Sequence, residues 1–284
     1  MAKVFVVLPV MGGYFPQMVG SLIKWIHTNP GGHDLHFVTL HNESLISRGR
    51  NKLATAFLQS DCDYMLMIDA DLEFPSDALD RLIRDDKDLI AAPYTSKSTP
   101  PLWTIRFFDH AMPTYVSGVM PVRFVSGGFT LIKRHVLEKM AKSAARYRDK
   151  GEWYYDFFSP HIRELFPGEP EYLPEDWSFC QRANDAGFEI FCDFDIRLLH
   201  FGMHGYGMVE IDNKLPANPM LPFLDNLQDM TSTVSALSAP APTGSGPAND
   251  LSAMLNSMLD SFKEVQGMLG DLATGKLNSP SQKD

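Results

Sequence analysis

The sequence predicts an α/β fold: a doubly wound mixed sheet, followed by a linker and a C-terminal helix. Three observations predict it. Apolar, strand-like runs alternate four times with helix-like runs between Lys3 and Tyr94. From Trp103 to Lys133 the pattern changes to short runs separated by turns, which predicts antiparallel strands extending the same sheet. After about Met230 the composition shifts to Ser, Ala, Pro and Gly.

The elements follow in order. KVFVVLPV (Lys3 to Val10) is a β-branched run bounded by Gly12 and Gly13, which predicts a buried parallel strand. FPQMVGSLIKWIH places Met18, Leu22, Trp25 and Ile26 at helical spacing. DLHFVTL is a second strand, and SRGRNKLATAFLQS a second helix with Leu53, Ala54, Phe57 and Leu58 on one face. YMLMID is a third strand, and SDALDRLIR a third helix with Ser76 as N-cap. DLIAAPY is a fourth strand. WTIRFF, TYVSGVM and VRFVSGGFTLIK are expected as strands, Arg134 to Tyr147 as an amphipathic helix, and PEDWSFCQRANDAGF as a helix ending at Gly187. EIFCDFDIRLLHFG supplies a last strand and a glycine-rich loop.

This gives a domain over residues 1–230, a linker over 231–248, an amphipathic helix over 249–273 and a tail over 274–284. In the third segment Leu251, Leu255, Met258, Phe262, Val265, Leu269 and Leu272 are spaced as a heptad seam. A helix this short is marginal alone and must bury its seam. Self-association into a homo-oligomer is the expectation, with docking on the main domain or on another protein as alternatives. Gly267 and Gly270 weaken the helix.

Composition narrows the function. The net charge is −10, and no dense block of Lys and Arg stands out, so nucleic acid is not the expected partner. The three cysteines have no CxxC spacing, which predicts reduced, buried thiols in place of a disulfide framework or a cysteine zinc site. The apolar N-terminus lacks a small-x-small cleavage pattern, and no apolar run reaches the roughly 18 residues of a membrane span. A cytoplasmic protein is expected.

The chemistry concentrates in Asp69 and Asp71, which end the third strand and precede Pro75. Ligands of such sheets bind beyond the carboxyl ends of the strands. Residues two apart on a strand point the same way, so both carboxylates could share one hard divalent ion. An Asp turn capping the next helix is the alternative. Glu175 and Asp176 form a second acidic pair, suited to general-base chemistry or to helix N-terminal placement.

RGRNKLATAFLQSDCDYMLMIDADLEFPSDALDRLI, with PEDWSFCQRANDAGFEI and LLHFG downstream, resembles GT-A fold glycosyltransferases, family 2-like or Anp1-like, over roughly residues 1–210. The resemblance implies a nucleotide-sugar donor, a glycan, lipid or other hydroxyl acceptor, and Mn²⁺ or Mg²⁺ as cofactor. It implies Asp71 as a direct metal ligand and Asp69 as the residue that contacts the donor and holds metal-bound water. It implies His200 as the third protein ligand, whose imidazole favours Mn²⁺; His204 is the competing candidate. It places Asp176 as the base of an inverting reaction, with Glu175 beside it, whereas in retaining relatives these acids bind sugar. It also places Pro9, Val10 and Met11 at the nucleobase, Glu43 at the base or ribose, Arg50 at the base or diphosphate, and Gly127 and Gly128 below the donor sugar; a solvated helix arginine is the alternative for Arg50, and a simple β-turn for the two glycines. The aromatic run EWYYDFF could stack on sugars or pack as core or lid. Two other functions remain open: a structural or carbohydrate-binding oligomer on this scaffold without turnover, and nucleotidyl transfer, for which no glycine-rich triphosphate loop with a basic residue is visible.

Overall fold

The computed structural model describes residues 1–108 and 116–202, and the backbone of 205–207. All of these fall in the first of two units, Met1–Leu215. The expected linker, the heptad helix, the tail, His204 and the start of TYVSGVM lie outside the described residues.

The first half alternates as expected apart from the added two-residue strand β4: β1 (Lys3–Val10), α1 (Pro16–Thr28), β2 (Asp34–His41), α2 (Ile46–Gln59), β3 (Tyr64–Ile68), β4 (Leu72–Glu73), α3 (Ala78–Arg84) and β5 (Leu89–Ala91). Then come β6 (Val119–Val122), β7 (Phe129–Lys133), α4 (Arg134–Ala141), β8 (Arg146–Asp149), β9 (Glu152–Tyr155), β10 (His161–Phe166) and β11 (Glu169–Leu173). The series closes with α5 (Glu175–Asp185), β12 (Ile190–Asp193), β13 (Leu199–Phe201) and β14 (Gly205–Gly207).

Seven strands form one mixed sheet in the order β2-β1-β3-β7-β5-β12-β6. β1 runs parallel to β2 and β3, with Val7 opposite Val38 and Met67. The antiparallel strand β7 does not extend the sheet at its edge, as the sequence suggested. It lies between β3 and β5, pairing Leu131 with Leu66 and Ile90. β3 beyond Tyr64 and all of β5 are apolar and buried, so β7 (FTLIK) meets the same demand as a central parallel strand. A small sheet, β14-β13-β4, stands beside it.

Local chemistry sets the element ends. α1 begins on Pro16, whose missing N–H costs nothing there, and stops at Asn29, left-handed at φ 30°. α5 begins after Pro174, and Gly187 follows its C-cap at φ 87°. α3 begins after Asp77, one residue beyond the expected cap Ser76, and no side chain caps it.

Four expectations need correction. EIFCDFDIRLLHFG holds two strands in different sheets, β12 and β13, in place of one last strand. The helix from Arg134 ends at Ala141, and Arg146 to Asp149 instead pair with β9 across Lys150 and Gly151. Both turn residues have positive φ, the requirement of a two-residue hairpin turn whose twist matches the strands. WTIRFF contributes only isolated bridges, Thr95 with Trp103 and Arg106 with Phe124. The β10–β11 hairpin was not anticipated; its signal was Pro167-Gly168, with Gly168 at φ 81° as at the third position of a type II turn.

One face of the sheet packs with α2, α4 and α5 around Phe5, Phe57, Phe124, Phe157, Phe158 and Phe179. The rings of Phe158 and Phe179 stack at 4.5 Å. All three cysteines are free and buried, as expected.

Candidate functional site at the carboxyl ends of the parallel strands

β1 and β3 end on the same side of the sheet, and the site is built there. β3 stops at Ile68, so Asp69, Ala70 and Asp71 form a turn between β3 and β4 and not the continuation of a strand. The two carboxylates therefore meet different partners. Asp69 turns inward to Arg50, whose Nη2 lies 3.1 Å from Oδ1. Asp71 turns to His200, whose Nε2 lies 3.5 Å from Oδ2, and to the ammonium of Lys97 on the same oxygen.

His200 arrives through pairing of β13 with β4, which sets it opposite Leu72. The main chain ties the turn to the same strand, because Phe201 N donates to the Asp71 carbonyl at 2.8 Å. His200 Nδ1 lies 2.8 Å from the carbonyl oxygen of Thr95, and the ring meets that of Tyr94 edge-on at 5.0 Å. Burial pushes the Asp71 carboxyl up, but His200 and Lys97 outweigh it and hold it below its usual range. Its other oxygen, Oδ1, is buried without a hydrogen-bond partner.

Arg50 projects from α2 and is 4% exposed. Its Nη1 lies 3.1 Å from Glu175 Oε1 at the start of α5, so one guanidinium joins the Asp69 turn to the Glu175–Asp176 pair. Burial opposes the charge, yet Asp69, Asp176 and Glu175 overcome it and push the guanidinium's pKa up. Arg50 thus lies beneath the site, joining its acids.

Asp176 accepts from its neighbour's backbone, Trp177 N to Oδ1 at 2.8 Å. Burial is the main cause that pushes its carboxyl up to about 6, with Arg50 working against the rise and Glu175 adding to it. Such a value suits a base operating near neutral pH.

Gly127 and Gly128 form the turn before β7, and both face this cluster. A β-carbon on Gly127 would overlap the Arg50 guanidinium, and one on Gly128 would overlap the Tyr94 hydroxyl and lie 2.7 Å from Asp69 Oδ2. Glycine is needed here for space. The main chain also takes part: Asp69 N donates to Gly128 O at 2.8 Å, and Gly128 N to the Tyr94 hydroxyl at 3.2 Å.

The expected nucleotide positions are arranged differently from one another. Val10 is buried and its carbonyl accepts from Asn42 N, Pro9 is half-buried, and Met11 is exposed. Tyr14 follows the Gly12–Gly13 turn, with its hydroxyl 3.5 Å from His41 Nε2 and its phenol pushed up to about 12 by burial. Glu43 is held against α2 by Arg48 at 2.6 Å and Lys52 at 3.1 Å. The aromatic run separates: Phe157 and Phe158 are core, while Trp153 is exposed. Asn51 holds this segment through Oδ1, which accepts from Phe157 N and Phe158 N.

Asp69, Asp71 and His200 do not converge as one group; among the described residues no set of three His, Cys, Asp or Glu side chains does so. The donors at Asp71 and His200 nevertheless fit a divalent ion, since a carboxylate oxygen and an imidazole nitrogen face each other and a second carboxylate oxygen is unpartnered. Sequence reasoning missed Tyr94, Thr95 and Lys97. Their signal was position: PYTSK follows the fourth strand, at the same edge of the sheet as Asp69 and Asp71.

No family model and no curated protein matches the chain. Among solved structures it is similar to A197 from STIV, at 17% identity and a TM-score of 0.48, covering 77% of this chain and 100% of that one. It is similar to GalNAc-T7 with UDP, GalNAc and Mn²⁺, at 10% identity and 0.42, covering 100% of this chain and 60% of that one. A Drosophila β1,4-galactosyltransferase 7 mutant, with manganese, UDP-Gal and xylobiose, is similar at 15% identity and 0.40, covering 87% and 84%. At these levels none supplies a residue role for this chain. No helix among the described residues is long and apolar enough to cross a membrane.

Proposed function

We propose that the chain is a metal-dependent glycosyltransferase of GT-A type that moves a sugar from a nucleoside-diphosphate sugar to an acceptor hydroxyl. The observation that carries this reading is the Asp71–His200 pair on one side of the site, with the raised carboxyl of Asp176 on the other, joined through Asp69, Arg50 and Glu175.

In this mechanism Asp176 accepts the proton of the acceptor hydroxyl as the acceptor oxygen bonds to the anomeric carbon. The bond from that carbon to the diphosphate oxygen breaks, and the nucleoside diphosphate leaves. This direct displacement inverts the anomeric centre. Arg50 and Glu175 position Asp176, and Gly127 and Gly128 leave space for Arg50, Tyr94 and Asp69 below the donor sugar. Asp71 and His200 would hold Mn²⁺ or Mg²⁺, which when bound offsets the charge developing on the diphosphate. Pro9, Val10 and Glu43 remain candidates for the nucleoside.

A second reading, a carbohydrate-binding or structural protein without turnover, is favoured by the ion pairs that already engage Asp69 and Asp71. Thermal shift with UDP, GDP, CMP or dTDP, each with Mn²⁺ or with EDTA, tests the choice. A Mn²⁺-dependent rise with one nucleotide, followed by hydrolysis of the matching sugar donor that Asp71→Ala abolishes, is the expected result. Unaltered turnover by Asp71→Ala would overturn the metal-dependent mechanism, and the absence of any shift or turnover favours the second reading. The heptad helix is proposed as a homo-oligomer contact, tested by light scattering of Leu255→Asp with Phe262→Asp.

A further inference from the structure

We propose that Lys97 is a tethered cation that competes with a divalent metal ion for the carboxylate of Asp71. The proposal rests on the metal site proposed above and concerns what governs entry of the ion.

Lys97 lies on a lobe closed at its base, where Ser96 N donates to Leu102 O at 2.8 Å and Leu102 N donates to Ser96 Oγ at 3.2 Å. From there its side chain, 31% exposed, reaches back to Asp71 Oδ2. The ammonium also lies 5.5 Å above the ring of Phe15, and Phe15 N is tied to the Ala70 carbonyl at 2.9 Å. The charge is thus held over the Asp-Ala-Asp turn.

The oxygen that Lys97 takes is the one His200 faces at 3.5 Å. A divalent ion ligated by both Asp71 and His200 would come within roughly 2.0–2.2 Å of each donor atom. An ammonium bonded to the same oxygen would then sit beside that ion, and the two positive charges repel. Entry of the ion at the oxygen that His200 faces therefore requires Lys97 to leave it. Without nucleotide nothing compensates the displaced ammonium, so the ion binds weakly. A nucleoside diphosphate supplies the missing negative charge, so ion and nucleotide bind together. Coupling of this kind typically changes affinity by about 5- to 150-fold.

The test measures Mn²⁺ binding to the metal-stripped full chain from the paramagnetic resonance signal of the free ion, with and without UDP. Without nucleotide, Lys97→Ala is expected to bind Mn²⁺ about tenfold more tightly than wild type. Lys97→Arg stays weak, because it keeps the charge. The gain disappears when Asp71→Asn is added to Lys97→Ala, and the enhancement by UDP is smaller in Lys97→Ala than in wild type. Thermal melts check that each variant folds. If Lys97→Ala and wild type bind equally while Asp71→Asn binds more weakly, the metal site stands and the competition is overturned. If no protein binds Mn²⁺ with or without UDP, the metal site itself falls and the proposal with it.

Discussion

His200 hangs from the main chain of Thr95, its Nδ1 lying 2.8 Å from the carbonyl oxygen. A carbonyl oxygen can only accept, so the proton of this bond is on Nδ1. The nitrogen directed at Asp71 is Nε2. Anchoring of one ring nitrogen by a carbonyl fixes tautomer and orientation and strengthens the other as a ligand.

His200→Ala is therefore expected to weaken Mn²⁺ binding in the presence of UDP by roughly tenfold or more, on the scale seen when metal-site support is removed. Some loss of melting temperature should accompany it, because the ring is 14% exposed, is bonded to Thr95 and hangs from the central strand of its small sheet, so metal binding is read on protein shown to be folded. Wild-type metal affinity in this variant would remove His200 from the site.

Arg50 is the buried connection between Asp69 and Glu175, so its loss should be felt first as stability. Arg50→Met leaves Asp69 and Glu175 partly buried without their cation, and removing one partner of such a pair costs about 3 kcal/mol or more. Urea denaturation measures this. Arg50→Lys should recover little, since a single ammonium cannot reproduce a fork that meets two carboxylates. An unfolding free energy within about 0.5 kcal/mol of wild type for Arg50→Met would show that the acids do not depend on it.

The sequence made much of this legible, and its failures have physical reasons. Continuous apolar runs and helical periodicity placed the first five elements to within a residue or two, because β1 and β3 are buried on both faces and α1 and α2 present continuous apolar stripes. The Asp69–Asp71 turn was visible as two acids ending an apolar run, but their divergence was not, because it depends on β3 stopping at Ile68 and on partners 19 and 26 residues away in sequence. In sequence Arg50 reads either as a nucleotide contact or as a solvated helix residue. Only the packing of α2 against α5 shows it buried between acids 125 residues apart from it and closer. The two hairpins were hidden for a different reason: their strands are short and largely exposed, without a buried apolar face, so turn chemistry at Lys150–Gly151 and Pro167–Gly168 was the main local signal.

Glu43 provides a test on stability against pH. Its hydrogen bond from Arg48 is the leading cause that holds the carboxyl down, to about 2, against burial, with Lys52 helping. A carboxylate whose folded value is depressed contributes stability above its unfolded value, near 4.5, and loses it as pH falls towards 2. Glu43→Gln should therefore be less stable than wild type at pH 7, by about 1 kcal/mol after allowance for solvent screening, and the gap should close between pH 4.5 and 2. Denaturant melts across that range provide the measurement, and a gap that stays constant with pH would show that Glu43's charge does not stabilise the fold.

Asp176 should behave in the opposite sense. Its carboxyl is raised to about 6 from an ordinary 3.8, so between those values the folded protein binds more protons than the unfolded chain. Stability then falls as pH rises through this window, and the cost is fully present above pH 6. Asp176→Asn carries no such cost. It should be more stable than wild type at pH 8 by about 3 kcal/mol, with the difference gone below pH 4. Activity should move the other way. In wild type, kcat/KM reports the free enzyme, so it should climb with pH up to about 6 and then level off. Asp176→Asn should lose about 100-fold or more in rate together with that acid limb. A variant that is stabilised at high pH yet keeps both its rate and the acid limb would assign the raised carboxyl a structural role and return the general base to another group.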